Sequence, residues 1–170
     1  MDDGCSILDQ YASLPDWLEE TVKQVSEETF FTPIKESKWS IAEVLAHLRV
    51  WDTYLLEERL PFIQNEAKLE KNSISVEKTN SIAAKYAMSG KSQSELIHET
   101  ILERQKVVAR LQEFTPEEWE YTFYIDKYPL CLTSYIKGLV EHDYHHKLQI
   151  EVFITEQGVE IPNSSLIRTQ

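Results

Sequence analysis

Of the five histidines in this 170-residue chain, His142 and His146 are spaced i, i+4. A helix turns by about 100° per residue, so this pair lies one turn apart and roughly 40° around the axis. Both imidazoles can then point at one spot, the helical geometry used to hold a divalent metal. His145 is about 100° from His146 and faces a helix edge or solvent, so it falls outside the pair. Leu139, Ile150 and Phe153 share the stripe of the pair. Burying an imidazole with neither a hydrogen-bond partner nor a metal costs on the order of 1–3 kcal/mol. A layer of hydrogen-bonded core histidines is the alternative, and the spacing alone leaves both readings open. His47 shifts the weighing. It lies beside Leu48 and Trp51 at the edge of another apolar stripe. If the two helices are neighbours, His47 supplies a third ligand. Three neutral imidazoles leave coordination positions open, as catalytic rather than closed structural sites do.

Other groups near these histidines have competing explanations. Gln149 is one turn from His146, where it could bond a ligand histidine or a metal-bound water, or simply face solvent. Glu43 is one turn before His47, but it also completes a capping box with Ser40. Asp143, Glu141 and Asp52 read as solvated. Tyr54, within about 20° of His47 on the helical wheel, reads as core more readily than as pocket lining. Trp39 reads as an anchor under the second helix, and His98 as a surface residue. Cys5 and Cys131 are far apart and have no activating base beside them, so they read as a terminal residue and a packed residue. There is no glycine-rich phosphate loop, nucleophile elbow or Ser/His/Asp set.

The elements that position these residues are helical. The chain has only 4 glycines and 6 prolines, too few for an all-β fold rich in tight turns. Leu14, Leu18, Val22 and Val25 mark a first helix over 14–25, with Ser13 as N-cap and a preceding turn over 7–12. Ser40 opens the second helix, whose stripe is Ile41, Val44, Leu48, Trp51 and Leu55, and Pro61 ends or kinks it. Residues 63–91 are polar, with a short helix over 80–87. The third helix follows Ser92 or Ser94 and carries Ile97, Ile101, Val108, Leu111 and Phe114; Thr115-Pro116 caps a further turn. Residues 121–124 suit an extended segment. The fourth helix spans about 133–156, with Gly158 as its stop. Four amphipathic helices predict an all-α, four-helix-bundle single domain over 1–170. The connection of about 30 residues between the second and third helices exceeds a bundle turn, so it crosses the bundle instead.

Charge excludes some partners. Acidic residues number 29 against 17 basic, a net charge of −12. That balance argues against nucleic acid and against an anionic membrane surface. The N-terminus lacks a signal-peptide pattern and no apolar run reaches membrane length, so a cytoplasmic protein with reduced thiols is expected.

Two segments resemble a known family. Trp39-Ser40-Ile41-Ala42-Glu43-Val44-Leu45-Ala46-His47 and His142-Asp143-Tyr144-His145-His146-Lys147-Leu148-Gln149-Ile150 are similar to the motifs of the DinB/YfiT-like metalloenzymes. The resemblance implies a four-helix bundle in up-down-down-up order, a divalent metal on His47, His142 and His146, and a homodimer. It also implies a metal-dependent enzyme, either a hydrolase or a bacillithiol-type thiol S-transferase. The expected partner is a small molecule, such as a low-molecular-weight thiol. Three imidazoles suit zinc, nickel, copper and iron, with zinc or nickel expected first. A non-enzymatic helical bundle that binds a metal or small ligand is the alternative.

Overall fold

The computed structural model describes residues 3–71 and 74–161, with side chains from residue 7 onward; the Cys5 side chain lies outside that description. Eight α-helices occur among the described residues: α1 (Asp3–Ala12), α2 (Leu14–Glu20), α3 (Glu27–Phe31), α4 (Ile41–Tyr54), α5 (Val76–Ala87), α6 (Gln93–Gln112), α7 (Pro116–Trp119) and α8 (Leu132–Glu156). Helices α1 and α2 together, α4, α6 and α8 are the four members of an all-α four-helix bundle.

Two apolar clusters fix the direction of each member. One joins Leu14 and Leu18 of α2, Ile41 to Leu48 at the start of α4, Leu96 and Ile97 at the start of α6, and Ile150 to Ile154 at the end of α8. The other joins Tyr11 of α1, Leu55 just after α4, Val107 and Leu111 late in α6, and Leu132 and Ile136 at the start of α8. The first and fourth members therefore run one way and the second and third the other, which is the up-down-down-up order. Parallel second and third members need a return path. The chain between them makes it, with α5 laying Ala83 and Ala87 into the first cluster.

Local chemistry sets the element ends. Ser40 Oγ accepts from Glu43 N at 3.2 Å while Glu43 Oε2 accepts from Ser40 N at 2.8 Å, the expected capping box. Ser92 and Glu95 repeat it on α6. Gly158 ends α8 at φ +81, where a side chain would be strained. The first helix is shorter than expected. It stops at Glu20, and Val22–Gln24 forms a 3-10 turn before Val25 becomes extended. Ser26 draws the chain out by capping α3, its Oγ accepting from Thr29 N at 3.1 Å. Ser13 does not cap α2, because its hydroxyl donates to the Gln10 carbonyl at 2.6 Å instead. Before Pro61, α4 relaxes into a π-type turn over Leu55–Arg59, since the proline has no amide to continue the ladder.

Helix α5 is longer than the expected 80–87, because Ser75 caps it with Oγ accepting from Lys78 N at 3.2 Å. A small sheet joins β1 (Lys68–Leu69), β2 (Phe123–Ile125) and β3 (Tyr128–Leu130). Strands β2 and β3 form a hairpin with Phe123 opposite Leu130, and β1 adds in parallel. This places the aromatic stretch near 121–124 in extended structure. No helix among the described residues is long and apolar enough to cross a membrane.

Candidate metal centre

Helix α4 presents His47 because its Ile41, Val44, Leu45 and Leu48 face is locked into the core. Helix α8 presents His142 and His146 to α4 from the edge of its own buried stripe. The three rings meet. His47 Nε2 stands 3.1 Å from His142 Nε2, which stands 3.2 Å from His146 Nε2. Ligand atoms of all three lie within 4.8 Å of one another. Three nitrogens on a tetrahedral zinc would stand about 3.3 Å apart, so the spacing fits such an ion.

Electrostatics keep the rings neutral. The His47 pKa falls to about 3, first through burial and then through His142 and His146, with Asn80 acting in the opposite sense. His146 falls to about 4, again through burial and then His142, opposed by its bond to Gln149. His142 is also lowered by burial, against the pull of Asp143. Neutral imidazole is the metal-binding form.

The outward nitrogens determine where the lone pairs point. His146 Nδ1 meets Gln149 Oε1 at 2.9 Å. An amide oxygen only accepts, so the proton sits on Nδ1 and the Nε2 lone pair faces His142. Asn80 of α5 stands against His47, yet Asn80 Oδ1 and His47 Nδ1 are both buried without a closed hydrogen bond. The Asn80 oxygen favours the same tautomer there. His142 Nε2 can donate one proton to one of these neighbours, which leaves another lone pair facing it. A cation at the convergence point resolves that conflict, whereas a hydrogen-bonded core layer does not. Trp39 closes one side, its ring centroid 4.9 Å from His47 and 6.5 Å from His146.

His145 is exposed, as its position on the helix predicts, and its ring is 5.5 Å from that of His146. His98 is also exposed. Glu43 is occupied by its cap. Tyr54 is half-buried against Trp51, with centroids 5.6 Å apart. Cys131 is a free thiol at the N-cap of α8.

Asp52 and Asp143 overturn the expectation of solvated carboxylates: both are buried. Arg104 donates from Nε to Asp52 Oδ2 at 2.8 Å, and from one terminal nitrogen to Asp143 Oδ2 at 2.6 Å and to the Tyr11 carbonyl at 2.9 Å. Tyr11 donates its hydroxyl to Asp52 Oδ1 at 2.5 Å. A lone Asp on a helix wheel gives no sign of a partner 52 residues away. The polar gap Thr100, Glu103 and Arg104 within the buried face of α6 was the available signal for this layer. Asn80 had no such signal, being one polar residue in a weakly patterned segment.

A cleft of about 690 Å³ opens beside the histidines, with His146, Gln149, His145 and Trp39 in its wall.

Residues 10–150 match the model of the DinB superfamily. No curated protein matches the chain. Among solved structures the chain is similar to YfiT from Bacillus subtilis, described as a probable metal-dependent hydrolase with an unusual four-helix bundle topology. The two share 18% identity over 92% of this chain and 89% of that one, with a TM-score of 0.74. A family match over most of the length agrees with the motifs around His47 and His142, and the chain belongs to the DinB superfamily.

Proposed function

We propose that this chain is a divalent-metal-dependent enzyme, with a hydrolase as the leading class and His47, His142 and His146 as the metal ligands. The convergence of three neutral imidazoles carries the reading, with Nε2 nitrogens 3.1 and 3.2 Å apart along the triad. The donor set suits zinc or nickel. When bound, such an ion supplies Lewis acidity to activate a nucleophile near neutral pH. The protein orients the ligands: Gln149 holds His146, Asn80 stands at His47, and Trp39 excludes water from one side. The description of YfiT supports the hydrolase class.

One observation favours thiol S-transfer as a second reading. Three carboxylates close to the histidines in sequence on α4 and α8 are engaged elsewhere, Glu43 in a cap and Asp52 and Asp143 on Arg104, which leaves Glu156 as the acidic group in the cleft wall. Hydrolysis needs a group to take a proton from water, whereas a thiol bound to a metal is deprotonated outright.

Elemental analysis of the protein as purified tests the metal. Ester hydrolysis and conjugation of a small thiol to an electrophile, each assayed before and after chelation, test the class. Either activity should vanish on chelation and return with zinc or nickel. Protein that neither carries nor takes up a divalent ion would overturn the reading.

A further inference from the structure

The cleft beside His146 has a mixed wall. Trp39, Leu148, Val152 and Phe153 make an apolar face, and Lys35 and Lys38 bring positive charge to it. Its volume of about 690 Å³ lies within the range of small-molecule sites. The two lysines stand out against the composition of the chain, where acids exceed bases by 29 to 17. Neither lysine is in a salt bridge among the described residues. Glu156 is the acidic group in the same wall, so the local balance is positive.

The loop that carries the lysines is built rather than slack. A bridge pairs Pro33 with Ser40, and Ile34 N donates to the Trp39 carbonyl at 2.9 Å. Lys38 N donates to the Lys35 carbonyl at 3.0 Å across the tip. Ser37 between them sits at φ +60, a left-handed conformation that a residue with a side chain adopts at some cost. The tight turn keeps both lysines and Trp39 on the same cleft. It also joins directly to Ser40, the N-cap of the helix that carries His47.

We propose that this cleft binds a small organic anion, with its apolar body on Trp39, Leu148, Val152 and Phe153 and its anionic head at Lys35 and Lys38. Lysine is a compact point charge without the fork of arginine, so it selects the sign of the head group more than its shape. The apolar wall supplies affinity in proportion to the area it covers. His146 and Gln149 belong to both the cleft and the histidine cluster, so a molecule lying here touches one edge of that cluster. That this molecule is the substrate rests on the function proposed above; that it binds does not.

Titration calorimetry on the full chain, with metal content read on the same sample, tests the assignment. The probes are octanoate, octan-1-ol and octylamine, which share one apolar body and differ in head charge. Octanoate should bind about tenfold more tightly than octan-1-ol, with octylamine weakest, and raising the salt should shrink the difference. The double variant Lys35→Gln/Lys38→Gln changes two exposed side chains, so the fold should survive, as circular dichroism can verify. It should lose the octanoate advantage while binding octan-1-ol as before. Equal binding of the three probes, or octanoate binding untouched in the double variant, overturns the proposal. Metal bound without an octanoate preference overturns this inference alone. An octanoate preference in protein that takes up no metal leaves the cleft standing and overturns the enzymatic reading.

Discussion

Two polar centres lie side by side in the middle of the bundle, and they use their atoms in opposite ways. At one, Arg104 is 1% exposed and reaches Tyr11, Asp52 and Asp143, one residue from each of the other three bundle members. Burial opposes the charge of Arg104, but Asp52, Tyr11 and Asp143 outweigh it and hold the guanidinium protonated. At the other, three imidazoles converge through Nε2, where the single proton that His142 Nε2 can carry cannot serve both neighbours, and His47 Nδ1 is buried without a partner. The centres share two helices and touch in sequence, since His142 precedes Asp143 and His47 lies five residues before Asp52. Buried polarity therefore does not identify a site of chemistry. The ion cluster spends its hydrogen-bonding capacity on the fold, whereas the three histidines bring their Nε2 nitrogens to one point, the arrangement on which the proposed metal site rests.

The largest expected effect tests the structural half of that contrast. Arg104→Leu leaves two buried carboxylates without their cation and should cost about 3–5 kcal/mol in urea unfolding. The triple variant Asp52→Leu/Arg104→Met/Asp143→Leu should recover most of that loss, because no charge is then left unpaired. A single variant as stable as the wild type would show that the ion cluster does not hold the helices.

His142→Ala should behave differently. Bound metal should fall to background in elemental analysis, while the unfolding free energy of the chelated protein changes by about 1 kcal/mol, typical of a single substitution. A large loss of stability in the metal-free protein would erase the distinction between the two centres.

Acid separates them further. His47 and His146 stay neutral in the folded chain down to about pH 3 and 4, against 6.5 for an ordinary histidine. Between those limits the unfolded chain binds more protons than the folded one, so stability must drop as pH falls below about 6.5. The metal-free protein should therefore unfold at lower urea at pH 4.5 than at pH 7. His47→Gln/His146→Gln should reduce that difference, and equal slopes in the two proteins would refute the assignment.

The smallest effects come from the groups that aim the rings. Gln149→Ala and Asn80→Leu should each weaken zinc binding about tenfold in competition with a chelator. Asn80→Asp, which keeps an acceptor, should bind more tightly than Asn80→Leu. His145→Ala should leave zinc affinity unchanged; a loss matching that of His142→Ala would mean that the ligand pair had been chosen wrongly.

Local rules made much of this legible in advance. The Ser40–Glu43 and Ser92–Glu95 boxes are contained in four residues each, and Gly158 acts through its own backbone angle. His142 and His146 converge because one helical turn separates them, and Gln149 reaches His146 for the same reason. The long link after Pro61 showed that no tight hairpin joins the second and third members, since a bundle turn needs far fewer residues, while their parallel order came from the family resemblance. Where periodicity was weak or β-branched residues met a competing cap, as around Val22 and Val25, the boundary moved.

By itself the sequence determined an acidic, helical chain with one pair of histidines that must share a helix face, because both follow from residue type and short-range spacing. Only the tertiary structure decided which polar residues meet across helices. It put Asp52 and Asp143 on Arg104 rather than in water, Asn80 at His47, and Lys35 and Lys38 over the cleft. Those pairings depend on helix rotation and register, which are set by the packing of Leu45, Val107, Ile136 and Ile150 in the two apolar clusters, and no local pattern encodes them.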